Sequence, residues 1–291
     1  MLSLQDNIYW IWTSRLPKIG TKTLQKLLKK YDTLENIYKL TQKELMSDKI
    51  IGENLIETIL NEEYRKNLDK YIEYMEREKI NIITVADKEY PEKLKQINDC
   101  PMYLYVKGNL DLLNKKSIAM VGSRKCTSYG KIVAKNISNK LAKNNFVVVS
   151  GLAKGIDTFS HIGALENEKS TIAVLGSSID NIYPNENINL AKKIIEKNGL
   201  IMSEYVIGSK PERLNFPARN RIISGISDGV LVIEAREKSG ALITVDFALE
   251  QGKEIFAVPG NINNIYSKGS NQIIKEGAKL VNCVEDILEE I

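Results

Sequence analysis

Histidine is almost absent from this sequence, because His161 is the single one among 291 residues. A Ser-His-Asp triad would have to use that residue, and a site with several histidine ligands is excluded. His161 lies in IDTFSHIGALE, a stretch with helical spacing. In such a position we favour a structural histidine over a catalytic base.

Cysteine is also scarce. Cys100, Cys126 and Cys283 are far apart in the chain, and no CxxC pair occurs. Three isolated cysteines support neither a zinc ribbon nor a disulfide framework. They favour a reducing compartment, so the sequence predicts a cytoplasmic protein.

Targeting and membrane signals are missing too. The N-terminal MLSLQDNIYW lacks a basic stretch followed by an apolar one, so we expect no secretory signal. No apolar run approaches the roughly 18 residues of a membrane helix, which predicts a soluble protein without a membrane partner. The formal net charge of +4 is mildly basic, and it suits an anionic partner only if the positive groups cluster.

The common nucleotide-binding motifs are absent. Without GxxxxGK[ST] a Walker-type NTPase is not expected, and no GxGxxG follows the first continuous apolar strand. That strand leads into GSRKCTSYG, which has arginine where the pyrophosphate of a dinucleotide would lie. The sequence therefore predicts no bound metal or cofactor, and no pair of carboxylates is evident for acid–base catalysis. A catalytic role for a single carboxylate is the less favoured alternative. Carboxylates near predicted strand ends can each cap a helix or pair with an arginine: Asp157, Asp180, Glu204, Glu234 and Asp246.

Residues 1–78 are predicted to form a small helical domain. LPKIGTKTLQKLLKKY (16–31) has apolar residues at helical spacing, and further helices are expected around 41–48 and across 54–78. The Pro-x-Ile-Gly-x-Lys arrangement is similar to a helix-hairpin-helix element, in which amides at a helix start can face a phosphate. A bundle of the sterile-alpha-motif type, with solvated lysines, is the alternative.

Residues 79–291 alternate between strand and helix. The strands are continuous apolar runs, which indicates that both faces of a parallel sheet are covered. We therefore predict an α/β fold with an extended Rossmann-like, doubly wound sheet. The predicted strands are 81–87, 102–108, 117–122, 146–151, 171–176, 199–204, 229–235, 254–260 and 279–281. The predicted helices are 128–143, 157–167, 186–197, 218–226, 242–251 and 270–276.

Glycine, serine, arginine and lysine follow six of these strands. Ligands of open parallel sheets bind beyond the carboxyl ends of the strands, where glycines expose amides and arginines make bidentate contacts with anions. FPARNRIISG (216–225) places two arginines beside a buried sheet, where an uncompensated charge costs several kcal/mol. Either this stretch is a solvated helix start or its arginines meet an anion supplied by a partner.

Several long segments resemble the DNA-processing protein A (DprA/Smf) family of bacterial proteins. They are VGSRKCTSYG, SGLAKGIDTFSHIGAL, TIAVLGSSIDNIYPNEN, the stretch from SEYVIGSKPERLNFPARNR to EIFAVPG, and KGSNQIIKEGA. They cover roughly residues 80–282 in order, and FPARNR and SGALIT are the most specific of them. Many members also carry a sterile-alpha-motif-like N-terminal domain. Some add a winged-helix domain at the C-terminus, and this chain resembles the shorter form.

The resemblance implies a function without catalysis. Members of the family bind single-stranded DNA cooperatively as dimers and help to load the RecA recombinase during natural transformation. The implied partners are single-stranded DNA, RecA and a second copy of the chain. Arg124 is the first expected phosphate ligand, and of the FPARNR arginines at least one should face the DNA while another braces the sheet. The full set of implied DNA-binding residues is Gly122, Ser123, Arg124, Lys154, Arg213, Arg219, Asn220, Arg221, Ser239 and Gly240.

Some positions depart from the family pattern or stay open. Asn185 stands where some relatives have a basic residue, so that contact is either missing or moved to Lys192 or Lys193. Four aromatic residues are candidates for base stacking, although Phe216 is expected in the core: Tyr129, Phe159, Tyr183 and Phe216. The dimer surface could include Ile273, Ile274 and Leu280, which could equally be core residues.

Two other functions compete with this interpretation. Ser239-Gly240 and Thr244 loosely match the PGGxGTxxE loop of nucleotide phosphoribohydrolases of the LOG (lysine-decarboxylase-like) type. The double glycine is absent, however, and Glu250 falls too far along the helix. A vestigial nucleotide pocket that holds a DNA phosphate would reconcile both resemblances. The other alternative is an adaptor protein whose partner surface lies in residues 262–291.

Overall fold

A computed structural model describes residues 7–17, 19–47, 52–166 and 170–291. The chain divides into two compact units. The first runs to Tyr90 and includes Asn98–Tyr105, and the second consists of Pro91–Ile97 and Val106–Ile291. The domain boundary expected at residue 78 stays a prediction.

The first unit is built mainly from short helices. A hydrophobic core forms from their inner faces, and Trp12 at its centre meets the ring of Tyr38 edge-on at 4.9 Å. The helices are α1 (Ile8–Ser14), α2 (Thr21–Tyr31), α3 (Leu34–Lys39), α4 (Gln42–Met46), α5 (Glu53–Leu60), α6 (Glu62–Arg65) and α7 (Leu68–Glu78).

The single helix expected across 54–78 is wrong, because asparagines interrupt it twice. The Asn61 side chain accepts a hydrogen bond from the amide of Glu63 at 2.9 Å and so starts α6. Asn67 adopts a left-handed conformation, with φ of 58°, and precedes α7. Asparagine side chains compete with the helical hydrogen bonds and tolerate this conformation better than most residues.

The strands are β1 (Asn81–Thr84), β2 (Tyr103–Gly108), β3 (Ser117–Val121), β4 (Val147–Ser150), β5 (Thr171–Leu175), β6 (Leu200–Ser203), β7 (Gly229–Val232), β8 (Glu254–Ala257) and β9 (Lys279–Leu280). Seven of them form a parallel sheet in the second unit, in the order β6-β5-β4-β3-β7-β8-β9. Strands β3 to β7 are buried along their whole length, which confirms the predicted Rossmann-like sheet with both faces covered.

The strand order reverses between β3 and β7. From β3 the chain moves outward to β4, β5 and β6, and it then returns to add β7 on the other side of β3. In open α/β sheets the crevice at such a reversal is the usual ligand site. The fold thus directs attention to the loops that follow β3 and β7.

Helices cover the sheet and lie close to their predicted positions. α9 has the predicted bounds, 128–143. α12 begins at Asn215, three residues before the predicted start, so that Pro217 falls in its first turn, where proline is tolerated. FPARNR is therefore part of a helix. The helices are α8 (Glu92–Lys95), α9 (Ser128–Lys143), α10 (Ile156–Leu165), α11 (Ile188–Glu196), α12 (Asn215–Gly225), α13 (Gly240–Glu250), α14 (Lys268–Lys275) and α15 (Glu285–Leu288), with short 3-10 helices at Leu110–Asn114 and Asn185–Asn187.

The core of this unit lies between the sheet and helices α9 and α10. Ile118, Val148 and Leu231 from the strands are fully buried there. The two helices approach closely at Gly163, where a Cβ atom would lie 2.2 Å from the carbonyl oxygen of Lys135. No helix within the described residues is long and apolar enough to span a membrane.

Candidate nucleic-acid interface

A cavity of about 300 Å³ opens at the carboxyl edge of β3 and β7, where the strand order reverses. Its lining comes from the loops after β3 and β7, the loop before α10 and the first turns of α12 and α13. The structure brings seven predicted residues together here: Gly122, Ser123, Arg124, Arg219, Asn220, Ser239 and Gly240.

Glu234 holds the loop after β3 in place. Its backbone oxygen accepts a hydrogen bond from the amide of Ser123 at 2.7 Å. Its buried carboxylate accepts from the Thr127 amide at 2.9 Å and from the Thr127 hydroxyl at 2.5 Å. Thr127 in turn caps α9 through the amide of Gly130. Glu234 therefore acts as an anchor of the loop, and its hydrogen bonds account for its burial.

The loop before α10 packs directly on the loop after β3. Gly155 has a φ of +78°, and a Cβ atom there would lie 2.2 Å from the carbonyl oxygen of Ser123. The amide of Ile156 donates to that same oxygen at 3.2 Å. Glycine is thus required at position 155 for both its backbone conformation and the close contact.

Arg124 is exposed at the rim of the cavity. Its guanidinium lies over the ring of Phe216, 5.5 Å from the ring centroid, within the range of a cation–π contact. Phe216 is also 5.4 Å from the ring of Tyr183, which is 44% exposed. Phe216 was expected in the core, but it is only partly buried and joins these two side chains at the surface.

Arg219 forms part of the cavity lining although it is only 3% exposed. Its Nη1 atom donates to the carbonyl oxygen of Gly151 at 2.8 Å and also to that of Val174. Its Nε atom is buried without a hydrogen-bond partner among the described residues. Burial lowers the pKa of Arg219 to about 10, and the nearby Asp157 carboxylate opposes that shift. Arg219 therefore braces the ends of β4 and β5 while it remains a cation.

Asp157 is the carboxylate in the lining of this cavity. One of its oxygens accepts from the amides of Gly151 at 3.1 Å and Ala153 at 3.3 Å. Burial raises the pKa of Asp157, and the charge of Arg219 opposes this shift. The side chain thus stabilises the loop after β4 through hydrogen bonds.

Arg221 lies outside the cavity lining, contrary to its grouping with Arg219. Its Nη2 atom is 2.6 Å from a carboxylate oxygen of Glu204, and its own carbonyl oxygen accepts from the side chain of Gln251. Asn220, which does line the cavity, donates to the carbonyl oxygen of Gly240 at 3.2 Å. The arginines of FPARNR are therefore compensated within the protein, Arg219 by two carbonyl oxygens and the nearby Asp157 carboxylate, and Arg221 by Glu204.

Lys154 and Arg213 are also outside the cavity lining. Lys154 forms an exposed ion pair with Glu186, and Arg213 is exposed in the turn before α12. Asn185 begins a 3-10 helix, and Lys192 lines a separate groove beside α11. None of these residues belongs to the lining of the cavity at the strand reversal.

Two cations of the lining were not predicted, Arg236 and Lys238 in the loop after β7. Both are exposed, and Arg236 stacks on Tyr266 at 4.6 Å and donates to its hydroxyl at 2.8 Å. Both cations lie in EAREKSGALIT (234–244), which stands at the end of the predicted strand 229–235 and is one of the six strand ends rich in glycine, serine, arginine and lysine. Both positive charges are therefore visible in the sequence at this strand end. The predicted DNA-binding residues follow the family motifs, which do not single out Arg236 or Lys238.

The start of α13 adds to the positive character of the cavity. Ser239 caps this helix through the amide of Ala241, at 3.3 Å, and Gly240 has no heavy atom within 4 Å of the position of a Cβ atom. The N-terminus of a helix carries roughly half a positive charge. Together with Arg124, Arg219, Arg236 and Lys238, it makes this cavity suited to an anion.

The remaining polar groups named in the sequence analysis have the following surroundings. His161 is buried in α10, its Nδ1 atom is 2.9 Å from the Thr171 hydroxyl oxygen, and burial lowers its pKa to about 3. Glu250 is exposed at the far end of α13, whereas Thr244 lines the cavity. Within the described ranges no cluster of three or more histidine, cysteine or carboxylate side chains could hold a metal ion.

These features define a candidate anion-binding site at the strand reversal of a Rossmann-like sheet. Comparison with known proteins gives the family. Residues 81–291 match the model of the DNA recombination-mediator protein A family, and the chain belongs to that family. The chain is 42% identical to DNA processing protein DprA of Bacillus subtilis over 231 residues. This match covers 79% of this chain and 77% of the relative.

Solved structures agree with this assignment. The X-ray structure of DNA processing protein A from Streptococcus pneumoniae matches with a TM-score of 0.83 and 37% identity, over 98% of each chain. A structure of DNA processing protein A from Helicobacter pylori, which concerns the single-stranded DNA binding mode of that protein, matches with a TM-score of 0.65 and 32% identity. That match covers 72% of this chain and 95% of the other. The resemblance to the DprA/Smf family is confirmed.

Proposed function

We propose that this chain is a non-catalytic, single-stranded DNA-binding protein that helps to load RecA onto incoming DNA in natural transformation and recombination. It acts as a homodimer in the cytoplasm. Membership of the DNA recombination-mediator protein A family supports this role, and so does the similarity to the Helicobacter pylori protein. The observation that carries the proposal is the cavity that collects four cations around one carboxylate at the strand reversal.

A phosphate group enters the cavity from the side of Arg124, Arg236 and Lys238, which are exposed at its rim. The start of α13 supplies further positive potential. Arg219 adds a charge from below that solvent screens less than the exposed ones. Because all of these contacts are with the backbone of the nucleic acid, binding is insensitive to base sequence.

Single strands are preferred because their bases are free to stack. Tyr183 and Phe216 lie side by side next to Arg124, and aromatic stacking is worth about 1–3 kcal/mol per base in single-strand binders. Lys154 and Arg213 extend the contact along the strand. The exposed pair of Lys154 with Glu186 contributes at most about 1 kcal/mol, so a phosphate can replace the glutamate. Gly122 and Ser123 shape the phosphate loop, whereas Asn220 and Arg221 position the helices around it.

The dimer surface includes Ile274 and Leu280. Leu280 is 38% exposed and Ile274 is partly exposed, so both side chains are available to a second copy. Ile273 is 7% exposed and belongs to the core, which removes it from the expected surface.

DNA binding is tested by fluorescence anisotropy with labelled oligothymidine and a matching duplex over a salt series. The wild type should prefer the single strand, and Arg124→Ala should lose affinity and reduce the slope of log K against log salt by about 0.7. Lys143→Ala is the matched control, because Lys143 is exposed at the C-terminal end of α9, next to the start of β4. Absence of binding, or an effect of Lys143→Ala equal to that of Arg124→Ala, would refute the site.

Two further assays test the rest of the proposal. Recombinase loading is measured as RecA-dependent strand exchange on DNA that is already covered by single-strand-binding protein, and the wild type should accelerate it. Leu280→Arg should lower the molecular mass in solution from dimer to monomer. The phosphoribohydrolase alternative predicts release of ribose 5-phosphate from a nucleoside monophosphate, and such release at an enzymatic rate would overturn the non-catalytic role.

A further inference from the structure

Helix α2 in the first unit has a continuous basic face. It has four lysines, all exposed, and no acidic residue. At about 100° per residue the lysines lie within an arc of about 100°, and they span about 12 Å along the helix axis. Like charges at this spacing repel one another and weaken an isolated helix. The lysines are Lys22, Lys26, Lys29 and Lys30.

The opposite face of α2 is occupied. Leu24 and Leu27 are each 2% exposed, and Leu28 is half-buried, so the apolar side of the helix packs in the first unit. A helix that lies on a membrane needs an exposed apolar face beside its basic one. Because α2 presents lysines and no such apolar face, its charge pattern favours a hydrophilic polyanion.

Neighbouring carboxylates leave the charges of Lys22, Lys26 and Lys29 largely uncompensated. The Nζ atom of Lys22 is 4.0 Å from Asp99, and their side chains are 80% and 61% exposed, so this pair contributes little. Glu35 in the following helix is paired with Lys39 at 2.6 Å. In the described part of the chain, no ion pair involves Lys26 or Lys29. Asp32 follows α2 directly and is exposed, and among the described residues it forms no ion pair with Lys22, Lys26 or Lys29. Eight further carboxylates of this unit lie in the later helices α5, α6 and α7, at Glu53, Glu57, Glu62, Glu63, Asp69, Glu73, Glu76 and Glu78.

We propose that the basic face of α2 is a second DNA-binding surface, separate from the cavity in the other unit. Lys22, Lys26 and Lys29 recur at positions i, i+4 and i+7, so that successive Cα atoms are about 6 and about 4.5 Å apart along the helix axis. Lysine ammonium groups contact phosphates as flexible point charges, without geometric or sequence selection. The surface therefore binds the DNA backbone electrostatically and raises the affinity for long strands.

The first test compares two triple variants of the full chain by anisotropy with oligothymidine. One replaces Lys22, Lys26 and Lys29 with alanine. The control replaces three exposed lysines on other elements, Lys70, Lys88 and Lys143, and so has the same net charge. The α2 variant should lower the slope of log K against log salt by about 2, since each contact contributes about 0.7. The ratio of the wild-type affinity to that of the α2 variant should then be about 15-fold smaller at about 200 mM salt than at about 50 mM salt. Equal slopes for the two variants would overturn the proposal.

The second test measures the contact directly and separates it from the cavity. Lysine acetylation is quantified by mass spectrometry with and without oligothymidine or duplex, in wild type and in Arg124→Ala. Protection of Lys22, Lys26 and Lys29 in both proteins supports the surface, even if the cavity itself binds no DNA. Protection by both DNA forms identifies the phosphate backbone as the ligand. Unchanged acetylation with either DNA, or protection only by anionic lipid vesicles, would contradict DNA binding by α2.

Discussion

Arg219 and Asp157 are predicted to be energetically coupled, because they are both buried in one cavity wall. Replacing Arg219 with methionine keeps the length of the side chain but removes every donor. The carbonyl oxygens of Gly151 and Val174 then lose their hydrogen bonds from this side chain. At about 1–3 kcal/mol for each of the two unsatisfied carbonyl groups, the free energy of unfolding should fall by about 2–6 kcal/mol.

The same substitution removes the charge that opposes the rise in the pKa of Asp157. Burial raises the folded-state pKa of Asp157 above its unfolded value, so the folded state retains a proton that the unfolded chain releases. The stability linked to this group is fully present below the unfolded pKa of about 3.9, and it is lost as pH rises through the folded pKa. In Arg219→Met the folded-state pKa of Asp157 is higher still. The stability linked to Asp157 is therefore lost over a pH range that extends further toward neutral pH.

A double-mutant cycle measures this coupling. Asp157→Asn keeps an oxygen that can accept from the amides of Gly151 and Ala153. In the wild type it removes a favourable partner of Arg219, whereas in Arg219→Met it removes an uncompensated buried charge. We expect a coupling free energy of about 1–3 kcal/mol at neutral pH. Lys238→Met, at an exposed position, is the control and should change stability by less than about 0.5 kcal/mol.

Urea unfolding followed by far-UV circular dichroism is the assay, with hydrogen exchange to assign the change to the second unit. Tryptophan fluorescence is unsuitable, because both tryptophans, Trp10 and Trp12, lie in the first unit. Additive effects of the two substitutions, or a stability of Arg219→Met equal to that of Lys238→Met, would refute the electrostatic argument.

Three further predictions concern single residues. Gly155→Ala should destabilise the protein by about 1–3 kcal/mol and weaken DNA binding, because φ at this position is +78° and the added carbon meets the carbonyl oxygen of Ser123. A melting temperature equal to that of the wild type would contradict this close packing. Tyr183→Ala should weaken oligothymidine binding by about 1–3 kcal/mol without changing the salt slope, and a changed slope would contradict stacking. Burial lowers the pKa of His161 to about 3, so its stabilising effect is present above the unfolded pKa of about 6.5 and is lost as pH falls toward 3. The free energy of unfolding of His161→Gln should therefore fall less steeply with decreasing pH in the acid range. A pH profile equal to that of the wild type would count against a lowered pKa of His161.

Strand positions were readable from the sequence because a buried parallel strand must be apolar along its whole length. All nine predicted strands are present, and the predicted bounds of α9 are those observed. The helix expected across 54–78 failed because two asparagines redirect the backbone locally, and hydrophobic spacing does not register such an effect. The predicted helix 218–226 left out Asn215, Phe216 and Pro217, although proline fits a first turn.

The sequence by itself determined the fold class, the family and the edge of the sheet on which the site lies, since those follow from local patterns and from motifs in order. It could not determine which of the two FPARNR arginines lines the cavity, because Glu204 and the ends of β4 and β5 are distant in sequence from them. It also could not unite Arg236 and Lys238 with Arg124, which requires β7 to return beside β3. Charge compensation depends on distances of a few ångströms between residues far apart in the chain, and only the tertiary structure sets those distances.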